Sequence, residues 1–100
     1  MSVTVVSRWT TPNVEASMAI AKRAKAIWKK NGAQDFRLSQ IYSGEHSGQW
    51  LVATVFDDMA AFGKSATAIS SDADMQQIQQ ENAKLGAVML ERLILVGTDL

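Results

Sequence analysis

Few of the 100 side chains are able to do acid–base or oxyanion chemistry. His46 is the only histidine, and the only side chain whose ordinary pKa lies near neutrality, so it is the first candidate for a general acid or base. It sits in Ser43-Gly44-Glu45-His46-Ser47-Gly48, a polar stretch in which a solvated turn histidine without a role is the commoner occurrence. Tyr42 and Trp50 flank that stretch. They offer a hydroxyl and an aromatic wall for a planar substrate, or, as strand-end aromatics generally do, they pack with a polar tip in water. Arg8, next to Trp9, carries a cation suited to a carboxylate or enolate. The competing use of Arg8 is a cross-strand pair with Glu91, worth under about 1 kcal/mol if exposed.

Other chemistries are excluded by composition. Zero cysteines rule out a disulfide, a thiolate nucleophile and any cysteine-ligated metal, and one histidine rules out a multi-histidine metal site within one chain. No Gly-x-Ser-x-Gly elbow is present for a serine hydrolase. Ten Lys plus Arg balance ten Asp plus Glu, so no net field draws the chain to a phosphate backbone or an anionic lipid surface. The cations between Lys22 and Lys30 lack the interleaved aromatics on which bases would stack, and read as a solvated helix face. No apolar run is long enough for a membrane span and no secretory leader opens the sequence, so neither nucleic acid nor membrane is an expected partner and the cytoplasm is the expected compartment.

The elements that must position these residues follow from pattern. Val3 to Trp9 is β-branched and aromatic and ends at Thr10-Thr11-Pro12, which predicts a strand and then a helix capped by Thr11 with Pro12 in its first turn. Val14, Ser17, Ile20, Ala21, Ala24, Ile27 and Trp28 share one arc of that helix, and Gly32 ends it. Residues 35–43 and 49–56 read as two strands of a hairpin. Asp57 is placed to cap a second helix. Ser70 and Ser71 mark a break, Ser71-Asp72-Ala73-Asp74 opens a third helical piece, and Gly86 closes it. The methionines at 18, 59, 75 and 89 fit core gap-filling, and the glutamines at 76, 77, 79 and 80 fit a solvated outer surface. Val88 to Val96 is the last strand.

A chain of this length makes one domain, residues 1–100, with a folded surface of roughly 5,600 Å² against roughly 16,000 Å² extended. The order strand, helix, strand, strand, broken helix, strand is that of an α+β, ferredoxin-like split βαβ fold, a four-stranded antiparallel sheet of order 4-1-3-2 with helices on one face. The strands carry apolar residues on both parities. Leu51, Ala53 and Val55 alternate with Trp50, Val52 and Phe56, and Met89, Leu93 and Leu95 alternate with Leu90, Ile94 and Val96. Helices cover only one face, so the other is expected to bury itself in a homodimer. The topology also gathers Arg8, Trp9, Tyr42, His46, Trp50, Glu91 and Arg92 near one edge of the sheet, where the site is expected between sheet and helices.

In element order, size, the Tyr42-to-Trp50 hairpin, the Phe56-Asp57-Asp58-Met59-Ala60-Ala61-Phe62 step from strand to helix and the closing Leu90-to-Val96 strand, the chain resembles the dimeric α/β-barrel superfamily. It looks most like the small antibiotic-biosynthesis-monooxygenase-like and NIPSNAP-like proteins. That superfamily holds cofactor-free monooxygenases, haem-degrading enzymes, isomerases, cyclases and binding modules, so the resemblance narrows fold more than function. The haem branch is disfavoured because neither helical region carries a histidine.

Two functions from different classes follow. One is a cofactor-free enzyme, a monooxygenase or an isomerase or cyclase, on a small apolar aromatic or polyketide-like substrate. In it His46 or Tyr42 moves the proton, Arg8 steadies the oxyanion, and Trp9, Trp50 and Glu91 contact substrate. The other is a non-catalytic dimeric module for a small hydrophobic ligand. A cavity reached by His46 or Tyr42 favours the first; an interior filled by Met and Trp disfavours it.

Overall fold

The computed structural model describes residues 1–100. Strand β1 (Val3–Thr10) is followed by helix α1 (Val14–Lys30), the hairpin of β2 (Asp35–Gln40) and β3 (Trp50–Phe56), helices α2 (Met59–Ser70) and α3 (Ala73–Leu85), and strand β4 (Val88–Val96). All strand pairs are antiparallel and the spatial order is β2-β3-β1-β4, the ferredoxin-like 4-1-3-2 arrangement expected from the order of elements.

Local chemistry sets the helix ends, in two cases one or two residues from where the sequence placed them. The α1 cap is Asn13 and not Thr11: the Asn13 side chain accepts from Ala16 N, while Thr11 Oγ1 accepts from Asn13 N and sits 2.7 Å from Ser17 Oγ. The α2 cap is Asp58, whose side chain accepts from Ala61 N; Asp57 is engaged instead by Gln34. Asp72 caps α3, separating it from α2 at the expected break. Gly86 ends α3 in the left-handed region (φ +88°), where a side chain is strained and where an added Cβ would also meet Pro12.

Side chains alternate across the sheet, so register decides which residues face the helices. Val3, Val5, Ser7 and Trp9 lie opposite Phe56, Thr54, Val52 and Trp50, and Val3 and Phe56 are fully buried beneath the helices. Trp28 joins two small cores, one of Ile20, Ile69, Met75 and Ile78, the other of Ala33, Phe56 and Phe62. Its ring meets that of Phe56 edge-on at 5.7 Å. Of the four methionines assigned to the core only Met75 is buried there. Met59 is half exposed, and Met18 and Met89 line a cavity.

Strand β4 departs from simple alternation. Arg8 pairs with Glu91, but the next residue, Trp9, pairs with Met89, leaving Leu90 as the extra residue of a β-bulge. The bulge moves Met89 from the face of Leu93 and Leu95, where unbroken alternation put it, to that of Arg92 and Ile94. The opposite face of the sheet carries Val6, Leu51, Ala53, Val55, Leu93 and Leu95 with no helix over it, and every residue of β4 is exposed. The accessible surface is 6499 Å², about 900 Å² more than the roughly 5,600 Å² usual for this mass.

Candidate functional site

Between the sheet and the helices lies a cavity of about 520 Å³. Its floor is the helix-facing row of the strands, from Val5, Ser7 and Trp9 through Trp50, Val52 and Thr54 to Met89 and Arg92. Its walls are Ser17, Ala21 and Ala24 of α1, Ala66 and Ile69 of α2, and Met75, Ile78, Gln79 and Asn82 of α3. Period-3.6 spacing on α1 and period-2 spacing on the strands bring these residues together.

Of the 28 lining residues 19 are hydrophobic and one, Arg92, is charged. No Asp, Glu, His, Lys or Tyr is among them, so the lining holds no group that titrates between acid and mildly basic pH. Arg92 stands opposite Ser7 on β1, with its guanidinium carbon 5.6 Å from the centroid of the Phe62 ring and no carboxylate within ion-pairing distance. Several lining polar groups are satisfied internally: Trp9 Nε1 donates to Ser7 Oγ at 2.8 Å, the Thr11 and Ser17 hydroxyls bond to each other, and Ser70 Oγ donates to Thr67 O. A ligand inside meets an apolar box with one unpaired cation.

The six residues singled out from sequence divide. Trp9 and Trp50, paired across β1 and β3, both line the cavity. Arg8 and Glu91 are cross-strand partners, as expected, with Arg8 Nε 3.8 Å from Glu91 Oε1 and Arg8 Nη1 donating to Gln49 Oε1. They stand on the open face of the sheet, because residues adjacent in a strand take opposite faces and Trp9 already faces the cavity. The Arg8 side chain is only 14% exposed there, with its Nε buried and without a hydrogen-bond partner. Tyr42 is 97% exposed. His46 lies in the same loop with Glu45, its sequence neighbour, 3.8 Å away, and neither Tyr42 nor His46 lines the cavity.

Thr54, Gln79, Asn82 and the site use of Arg92 were missed in the sequence. Gln76, Gln77, Gln79 and Gln80 are all exposed, as expected of a solvated surface, and a helical wheel through Met75 and Ile78 also carries Gln79, with Asn82, to the side that borders the cavity. Arg92 needed the register, since Ser7↔Arg92 pairing fixes its face.

The chain has a ferredoxin-like α+β fold with a cavity between its sheet and its helices. The structure is similar to that of a variant of SnoaB, a cofactor-independent oxygenase from Streptomyces nogalater, with a TM-score of 0.73 and 16% identity over 99% of this chain and 95% of that one. It is also similar to a candidate antibiotic biosynthesis monooxygenase from Deinococcus radiodurans (TM-score 0.68, 12% identity, 100% and 95% of the two chains). A NIPSNAP family protein from Agrobacterium tumefaciens has the same fold (TM-score 0.65, 11% identity, 99% and 95%). No curated protein matches the chain. Residues 2–90 match the family model of DUF6854, a domain of unknown function, and the chain belongs to that family.

Proposed function

We propose that the cavity binds a small, largely apolar ring compound carrying an acidic oxygen or an enolisable carbonyl, and that the protein is a cofactor-free enzyme acting on it. The observation that carries this reading is the single unpaired cation, Arg92, in an otherwise neutral and mostly hydrophobic cavity. A guanidinium held against the bound ring stabilises its enolate or phenolate through a charge-assisted hydrogen bond, which makes the adjacent C–H more acidic. With no base in the lining, the proton leaves to water at the mouth. In the oxygenase form the carbanion gives electrons to O₂: a ring CH₂ becomes C=O, one oxygen atom enters the product and the other leaves as water. Trp9 and Trp50 supply stacking walls. The likeness to a cofactor-independent oxygenase supports this form.

The missing base favours a second reading, a binding module that holds the same ligand without turning it over. In either reading a second copy of the chain covers the open sheet face. Supporting this are the half-exposed Leu93 and Leu95 on that face, beside Val6, Leu51 and Ala53, and a surplus surface close to the roughly 800 Å² per partner of a standard interface.

Titration of wild type and Arg92→Met with anthrone, following tryptophan fluorescence and oxygen uptake, tests the proposal. Wild type is expected to bind and consume oxygen, and Arg92→Met to bind at least about tenfold more weakly. Binding without oxygen uptake moves the protein to the module reading, and absence of binding removes the cavity as the site.

A further inference from the structure

Four neutral polar side chains of the cavity, Thr10 and Thr54 on the strands and Gln79 and Asn82 on α3, make no hydrogen bond with the protein, and the two on α3 are the amides. The hydroxyls of Ser7, Thr11, Ser17 and Ser70 are occupied within the chain, whereas the side-chain amides of Gln79 and Asn82 form no hydrogen bond with the protein. Gln79 and Asn82 are three residues apart on α3, so they stand on one side of the helix, next to Met75 and Ile78, which are 7% and 3% exposed. Gln79 is exposed and Asn82 half-buried, so both amides stay open to water while bordering the cavity. Each adds one acceptor and two donors, which read a carbonyl or hydroxyl oxygen without demanding charge.

The helix that carries them is held at both ends. Asp72 caps its start, Gly86 its end, and on its outer side Arg23 Nη1 and Nη2 grip the two Glu81 oxygens, each at 2.8 Å. Gln79 and Asn82 are on the helix wall of the cavity, and Arg92 is on its sheet wall.

We propose that Gln79 and Asn82 are specificity-determining residues that select ligands with a second, neutral oxygen substituent, a ring carbonyl or hydroxyl, set apart from the acidic oxygen at Arg92. This rests on the reading of the cavity as a ring-ligand site. A ligand lacking the second oxygen displaces the water on the two amides and returns no hydrogen bond, so it binds less tightly by the worth of those bonds.

The test is calorimetric titration of the full chain with 1-naphthol, which has one acidic oxygen, and 5-hydroxy-1,4-naphthoquinone, which adds carbonyls. Wild type is expected to favour the quinone. Gln79→Leu/Asn82→Leu should weaken the quinone about tenfold and leave the naphthol within about twofold, whereas Arg92→Met weakens both. Should the double variant not fold, the single variants Gln79→Ala and Asn82→Ala, each of which removes one amide without adding charge, are expected to show the same selective loss in part. Equal effects on both ligands, or no effect on either, overturn the specificity assignment while the cavity reading stands. If neither compound binds wild type, the cavity reading falls and this inference with it.

Discussion

The guanidinium of Arg92 lies over the ring of Phe62, its central carbon 5.6 Å from the ring centroid. Phe62 is 9% exposed and belongs to the core with Ala33 and Phe56, so a rigid part of the fold fixes a cation that has no acidic partner. Such a contact is worth about 0.5–1 kcal/mol at an accessible site, enough to bias the side chain toward one position but not to neutralise it. The cation stays available to a ligand oxygen.

Phe62 is accordingly a positioning residue. Phe62→Leu is expected to weaken binding of an acidic ring ligand by about two- to fivefold, the binding equivalent of that contact. The effect should vanish in an Arg92→Met background, because Phe62 acts through the arginine. Calorimetry on the four members of this double-mutant cycle checks it; additive losses would show that Phe62 merely shapes the cavity.

The fold was legible because periodicity and punctuation agree along the whole chain. Asp72 and Gly86 bound α3 as their types require, and the alternation of Trp50 to Phe56 set a strand with two apolar faces. The site was less legible, for two physical reasons. Arg8 and Trp9 are neighbours in sequence but take opposite faces, so a grouping by sheet edge joins residues that the pleat separates. The extra residue of a bulge leaves no mark in the amino-acid pattern, and without it the faces of Met89 and Arg92 cannot both be assigned. Tyr42 and His46 drew notice by residue type, whereas Gln79 and Asn82, ordinary in type, matter by position alone.

The open face of the sheet yields a prediction about assembly. Leu93 and Leu95 are 47% and 50% exposed on the side opposite the helices, beside Val6, Leu51 and Ala53. A patch of this kind in water is unfavourable by about 25 cal/mol per Å² of apolar area. Sedimentation at micromolar concentration should give twice the 10.9 kDa chain mass, and Leu93→Lys/Leu95→Lys should give the single chain, still folded. A wild-type monomer would refute the proposed covering of this face.

The bulge makes a sharper prediction, because it singles out one residue of β4 as removable. Glu91 pairs with Arg8 and Met89 with Trp9, so the two β1 residues are consecutive while the two β4 residues have Leu90 between them. Deleting Leu90 joins Met89 directly to Glu91, keeps both pairings, and keeps Val88 opposite Thr10. Arg92 remains in the cavity and Leu93 and Leu95 remain on the open face. Deleting Leu93 instead shifts one side of the strand by a residue, so that either Arg92 leaves the cavity or Ile94 and Val96 exchange faces with Leu95. Loss of Leu90, itself half exposed, is therefore expected to cost about 1 kcal/mol or less, and loss of Leu93 on the order of 3 kcal/mol or more. Urea unfolding of the two deletion variants beside wild type measures the difference. If both deletions are equally damaging, the extra twist of the bulge, and not the register it sets, is what β4 requires at this point.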